Sequence, residues 1–336
     1  MKILILQLKR IGDLIQTTPA IHCLREAFPE AHLTLAVDSS CESLLEAIDV
    51  NERLVHHKDA GWGGPFGFGP NAWMKSDLPV FGGDFCLDFT GTDRSAWLAF
   101  SSSSQRRVTF ARFQKKFMRR FVYTDFVNSP VRDRHTADHY TDLLRPLGIQ
   151  RENVPLDLRL PDPVMATTRA RLANSGVTSA FAVIHAGTAR PEKYWMPGRW
   201  AQVMDFLRAE YGLKIVLTGS SDPAEQAHLA AIKSSFRGTC ADLSGKTNLL
   251  ELAAVIRGAK VFCGVDTAAM HLADAMETPS LALFGPTNPF HWKPRHTKSI
   301  VLRADTKEPF SPGQKGGPMD HVSVGSALES VRKLLS

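Results

Sequence analysis

Three short segments combine residue types that could take a proton from a hydroxyl or hold a phosphorylated group. The first is Lys9-Arg10-Ile11-Gly12-Asp13. It lies between an apolar run and a stretch with helical spacing, so Asp13 falls at or near a helix start. An aspartate there either caps the helix or presents a carboxylate that takes a proton from a hydroxyl. The second is His185-Ala186-Gly187-Thr188, continuing to Lys193-Tyr194-Trp195. Gly187 lets backbone approach a ligand closely. Thr188 can donate to a phosphate oxygen, and Lys193 supplies a point charge for one. The same residues also suit a plain strand-to-helix loop with an exposed lysine. The third is Gly264-Val265-Asp266-Thr267-Ala268, with His271 one turn on. Asp266 is placed to cap the next helix, whose first N–H groups and dipole form an anion site. A diphosphate fits there, bonded by the Thr267 hydroxyl and the Thr267 and Ala268 amides. His271 shares that face of the helix, or packs inward against a backbone carbonyl.

Other signals carry less. Gly245-Lys246-Thr247 resembles the end of a phosphate-binding loop, but the glycine required five residues earlier is Cys240. His135 and His139 are spaced to share a metal, yet the glutamate of a metalloprotease motif is absent, which favours a packed or solvated helix face. Residues 106–120 hold seven Lys/Arg and no acid, with Val108, Phe110, Phe113, Phe117 and Phe121 interleaved, several at near-helical spacing. Such a run is either a solvated face or a surface for an anionic saccharide or lipid headgroup, engaged through Arg112, Lys115 and Lys116.

The elements that must position these residues follow from periodicity. Lys2 to Leu8 suits a buried parallel strand, Leu14 to Phe28 a helix stopped by Pro29, and His32 to Val37 a second strand, together a βαβ unit. Residues 61–83, rich in Gly, Pro and aromatics, suit a long irregular loop. Phe85 to Phe89 suits a strand, Ser95 to Phe100 a short helix and His135 to Leu147 a helix. Strands at Phe181–His185, Lys214–Thr218, Lys260–Cys263 and Ser280–Phe284 alternate with helices at Arg199–Glu210, Leu249–Arg257 and from Asp266 to Met276. A last helix spans Val324–Leu335. Alternation of this kind makes parallel sheets covered on both faces. The expected fold is α/β with two Rossmann-like domains, 1–160 and 161–320, a cleft between them, and a C-terminal helix in 321–336. A length of 336 residues with 43% hydrophobic and 22% charged residues suits two such cores.

A formal net charge of +6 favours anionic partners. Five cysteines at wide, irregular spacing fit neither a disulfide framework nor a zinc site, so reduced, mostly buried thiols are expected. The opening apolar run is too short for a secretory signal, and no stretch approaches a membrane span, so a soluble cytoplasmic protein is expected.

KILILQLKRIGDLIQTTPAIHCLR, HAGTARPEKYWMPGRW and LSGKTNLLELAAVIRGAKVFCGVDTAAMHLADAMETPSLALFGPTNP resemble glycosyltransferase family 9, the ADP-heptose:lipopolysaccharide heptosyltransferases. KRIGDLIQTTP, HTADHYTDLLRPLGI and FGPTNPFHWKP look most like its heptosyltransferase III branch. The resemblance implies a GT-B fold, an inverting mechanism and a nucleotide-diphosphate sugar, ADP-heptose, as co-substrate with no cofactor. It implies Asp13 as catalytic base, Lys193 beside the donor phosphates, and donor contacts at Thr188, Asp266, Thr267, Ala268 and His271. Glu225 would match the acidic residue near the nucleoside. Arg10, Arg112, Lys115 and Lys116 are expected at a phosphorylated, lipid-linked saccharide acceptor on the cytoplasmic face of the inner membrane, with no nucleic-acid partner. No two aspartates stand two apart, the pattern with which one glycosyltransferase class holds a metal, so Lys193 and helix amides would neutralise the leaving group. The alternatives are a GT-B-fold sugar-nucleotide epimerase, which needs no acceptor, and a non-catalytic nucleotide-sugar or nucleic-acid binder.

Overall fold

A computed structural model describes residues 1–57, 81–115, 119–305 and 308–336. Most of the 61–83 loop, and Phe117 and Lys116 of the basic stretch, therefore lie outside the described residues. The chain forms two compact units, Met1–Arg159 and Leu160–Ser336.

The first unit contains β1 (Lys2–Gln7), α1 (Ile11–Ala27), β2 (His32–Asp38), β3 (Glu52–His56), β4 (Phe85–Asp88), α2 (Asp93–Ser101), β5 (Arg106–Phe110), α3 (Arg119–Val122), β6 (Asp125–Val127) and α4 (Thr136–Thr141). Among the described residues its six strands are all parallel, in the order β3-β2-β1-β4-β5-β6. Strand β1 is central, and Ile3 to Leu6 are fully buried, as a strand covered on both faces requires. Helix α1 is buried on nearly every side from Leu14 to Leu24 despite Pro19 in its interior. Proline removes the N–H that would bond the Ile15 carbonyl. The Thr18 hydroxyl donates to that carbonyl instead, at 2.7 Å.

The second unit contains α5 (Asp162–Asn174), β7 (Phe181–His185), α6 (Pro197–Tyr211), β8 (Lys214–Leu217), α7 (Pro223–Ser235), β9 (Cys240–Asp242), α8 (Leu249–Gly258), β10 (Val261–Val265), α9 (Ala268–Ala275), β11 (Ser280–Phe284), β12 (Ser299–Arg303) and α10 (Val324–Leu335). Its parallel order, β12-β11-β10-β7-β8-β9, repeats that of the first sheet when strands are counted from the start of each unit. Both sheets thus have the Rossmann arrangement, with β1/β4 and β7/β10 at the points where strand order reverses. Trp195 and Trp200 meet edge to face at 5.1 Å in the second core. The Trp195 indole N–H donates to the Val322 carbonyl at 2.9 Å, tying the loop after β7 to the segment before α10.

Several sequence expectations need correction. The near-helical spacing within residues 106–120 does not reflect a helix. These residues form β5, a 3-10 turn at Ala111–Lys115 and, after residues 116–118, the start of α3. Val108 and Phe110 are core residues rather than a surface stripe. Arg106 pairs with Asp125 at 2.5 Å and Arg119 with Asp93 at 2.7 Å, so part of the basic run neutralises local acids. The 135–147 helix is α4 followed by a 3-10 segment, Asp142–Leu147, that contains Pro146. His135 caps α4 by accepting from Ala137 N–H, and His139 is buried against Phe110 with centroids 4.0 Å apart, as expected of a packed face. The five cysteines are free, and four of them are buried.

Two outcomes follow. Trp195→Ala removes a fully buried ring and an indole bond, and should lower unfolding free energy by about 3–5 kcal/mol, read from denaturant titration. Burial, aided by the positive charges of Arg112, Lys9 and Arg134, pushes His139 from 6.5 down to about 3. The unfolded chain therefore binds a proton at this site below about pH 6.5 that the folded chain refuses. Stability should fall as pH drops from about 6.5 towards 3, and His139→Gln should flatten part of that slope in melting temperature measured against pH.

Candidate functional site

In sheets of this kind ligands sit at the carboxyl ends of the strands, in the loops that follow. In the second unit three adjacent strands, β10, β7 and β8, deliver a set of polar residues to that edge. The loop after β7 ends in a 3-10 turn, Pro191–Lys193, which carries Lys193 inward. Its ammonium donates to Asp266 Oδ2 at 2.6 Å and to the Asp266 carbonyl at 3.2 Å, with both side chains about nine-tenths buried. Lys193 is therefore not the exposed lysine of a plain loop.

The same pair corrects the expected role of Asp266 as a helix cap. Its carboxylate is committed to Lys193, and Thr267 is the residue preceding α9, with no side-chain capping bond. The Thr267 hydroxyl is buried without a hydrogen-bond partner among the described residues. Such a group calls for a partner, and it stands at a helix start whose N–H groups and dipole favour an anion. His271, in the next turn, is buried, with its ring 6.0 Å from Trp292.

Glu225 joins this edge from the first turn of α7. Its Oε1 accepts from Ser220 N–H at 2.7 Å and its Oε2 from the Ser220 hydroxyl at 2.6 Å. A Cβ at Gly187 would lie 1.9 Å from Glu225 Oε1, so the glycine makes room for this carboxylate. The loops after β7 and β8 are thereby packed together, and the loose sequence spacing around Glu225 resolves into direct contact. His185, at the end of β7, places Nδ1 2.9 Å from the Thr218 hydroxyl. Burial pushes it down to about 4, against the pull of Glu225. Thr188 accepts from Arg190 N–H at 3.2 Å. Sequence reasoning missed Ser220 and the stacked pair Tyr194–His228, whose rings lie 4.2 Å apart. The serine beside Gly219 after a strand was the available signal.

In the first unit Asp13 lies in the first turn of α1, whose preceding residue, Arg10, is exposed and makes no side-chain cap. Asp13 is thus inside the helix and does not cap it. The Thr17 hydroxyl donates to its carbonyl at 2.8 Å, and Gln7 donates to Thr17 at 2.7 Å. Tyr140 donates a short hydrogen bond to Asp13 Oδ1. Lys9 lies between Tyr140 and the Phe89 carbonyl, and burial lowers its pKa against the opposing influence of Asp13. Arg112 rests on the rings of Phe110 and Phe113, at 5.5 and 4.7 Å. Sequence reasoning missed Tyr140 and Lys9. Lys115 is exposed on the 3-10 turn, and Lys116 lies outside the described residues. The structure therefore gathers Lys193, Asp266, Thr267 and Glu225 at one sheet edge of the second unit, and Asp13, Lys9, Tyr140 and Arg112 in the first.

Comparison with known proteins identifies the family. The family model described as glycosyltransferase family 9 (heptosyltransferase) matches residues 82–317, well over half of the chain. Lipopolysaccharide heptosyltransferase 3 of Escherichia coli is 26% identical, with 96% of each chain covered. The crystal structure of a family 9 glycosyl transferase from Veillonella parvula DSM 2008 superposes with a TM-score of 0.84 at 24% identity, covering 99% of this chain and 97% of that one. The E. coli ADP-heptose lipopolysaccharide heptosyltransferase II does so with a TM-score of 0.78 at 22% identity, covering 100% and 98%. These likenesses bear out the GT-B class of the fold and the lean of the sequence towards heptosyltransferase III. The chain belongs to glycosyltransferase family 9 and is a glycosyltransferase.

Proposed function

We propose that the chain transfers a heptose from ADP-heptose to a hydroxyl of the lipopolysaccharide inner core, with inversion at the anomeric carbon. The observation that carries the donor half is the grouping at the ends of β10, β7 and β8. The start of α9 offers amides and the buried, unpartnered Thr267 hydroxyl to a diphosphate, with Lys193 beside it and Asp266 holding that lysine in place. Thr188, Ala268 and His271 complete the phosphate and sugar contacts, and Glu225 takes the nucleoside end. The family and the ADP-heptose-named relative support this donor.

The first unit takes the acceptor. Asp13 is the general base: it removes the proton from the acceptor hydroxyl as that oxygen attacks the anomeric carbon, on the side away from the diphosphate. Leaving-group charge falls on the α9 amides, Thr267 and Lys193, a preorganised set that needs no rearrangement during transfer. Arg10, Arg112, Lys115 and Lys116 engage the acidic acceptor.

A membrane contact of the same unit has its own observation. Trp97, Phe100 and Phe121 are 48%, 56% and 66% exposed, and Trp97 and Phe100 lie 6.2 Å apart on α2. Exposed aromatics in a unit that also exposes Lys115 and Arg120 suit an anionic bilayer surface. Among the described residues no helix is long and apolar enough to cross a membrane.

With ADP-heptose and a truncated inner-core acceptor, transfer should yield a product of inverted configuration, and Asp13→Ala should slow it by about 10²–10⁴-fold with folding intact. Near-normal transfer by a folded Asp13→Ala would reject the base. Charge reversal at Arg112 and Lys115 should weaken sedimentation with anionic vesicles at low salt, whereas unchanged, salt-insensitive binding would refute the membrane contact.

A further inference from the structure

We infer that Tyr140, itself braced by Lys9, is a positioning residue that commits one oxygen of Asp13 and leaves the other for the acceptor proton. This rests on the reading of Asp13 as the base.

The direction of the hydrogen bonds follows from chemistry. An ammonium group donates only. Lys9 Nζ lies 2.9 Å from the Phe89 carbonyl and 3.3 Å from the Tyr140 hydroxyl, so the phenol oxygen accepts from Lys9. The phenol hydrogen is then directed to Asp13 Oδ1. A donor that also accepts from a cation is polarised, which strengthens its own bond. Burial, and then the Asp13 charge, push the Tyr140 pKa well above 10, so the hydroxyl keeps its proton and remains a donor.

The phenol is held from other directions as well. Tyr140 is 2% exposed, and Phe89 meets its ring edge on at 5.7 Å. The Asp13 backbone is fastened separately through Thr17 and Gln7. Asp13 Oδ2 accepts no hydrogen bond among the described residues. It is the oxygen that takes the proton as the acceptor O–H bond breaks. The freed electron pair forms the bond to the anomeric carbon, and the bond from that carbon to the diphosphate oxygen breaks with its pair leaving on the nucleotide. Throughout, the phenol donates to Oδ1 whether the carboxyl is charged or carries the proton on Oδ2. The carboxyl therefore keeps its orientation through the step.

Tyr140→Phe keeps the ring and removes only the donor. We expect kcat to fall about 10–100-fold, the range that a loosened reacting group loses, with KM for ADP-heptose and for the acceptor each within about twofold. In an Asp13→Ala background the same substitution should add no further loss. Lys9→Met, which removes the group that orients the phenol, should lower kcat less, in the same direction and at unchanged KM. A lowered melting temperature without a fall in kcat, or an equal further loss on top of Asp13→Ala, would overturn the inference. An inactive Asp13→Ala beside a fully active Tyr140→Phe would overturn this inference alone, whereas an active Asp13→Ala would remove the base and the inference together.

Discussion

The ion pair between Lys193 and Asp266 organises the edge of the second sheet. Two charges this deeply buried are stable only with close geometry and further hydrogen bonds. The 2.6 Å contact and the second bond to the Asp266 carbonyl meet that condition. The pair joins the loops after β7 and β10, neighbouring strands at the point where the order of the sheet reverses. It also decides what α9 can do. With its aspartate drawn away to a lysine, the helix start has no side-chain cap, and the Thr267 hydroxyl is left without a partner. The pair thus leaves the first amides of α9 without a side-chain cap and places a neutralised lysine beside them.

The first unit uses a different device. Among the described residues Asp13 makes no salt bridge; its carboxylate accepts from Tyr140 and its carbonyl from Thr17. Pro19 and Thr18 belong to the same design. Threonine hydroxyls at 17 and 18 bind carbonyls of the preceding turn, so α1 runs unbroken past its proline and keeps its first turn registered against β1. One unit fixes a buried ion pair beside an uncapped helix start, and the other fixes a carboxylate through hydroxyl donors.

The central elements were legible in the sequence because burial on both faces writes itself as continuous apolar runs. Strands β1, β7 and β11 and helix α10 fall where periodicity places them, to within a residue. The edge strands did not show. Glu52-Arg53-Leu54-Val55-His56 is half exposed and charged, and β9 has only three residues. Val108 and Phe110 fit a period of two as well as the helical one, and only the pairing of β5 with β4 and β6 decides between them. At the candidate site, Asp13, Lys193 and Thr267 were visible in the segments that follow strands, and Glu225 only through the family resemblance. The true partner of Asp266 was not, because a capping rule looks three residues ahead and the lysine arrives from 73 residues upstream. Tyr140 was hidden for the same reason, 127 residues from the carboxylate it contacts.

The close packing of Gly187 on Glu225 has a bearing on how such chains diverge. With no space for a methyl group between them, the two positions are not free to drift separately. A larger residue at 187 becomes tolerable only after the glutamate has shortened or withdrawn, and a shortened residue at 225 opens a gap that a side chain at 187 would fill. Exchange at one of these positions therefore calls for a compensating exchange at the other.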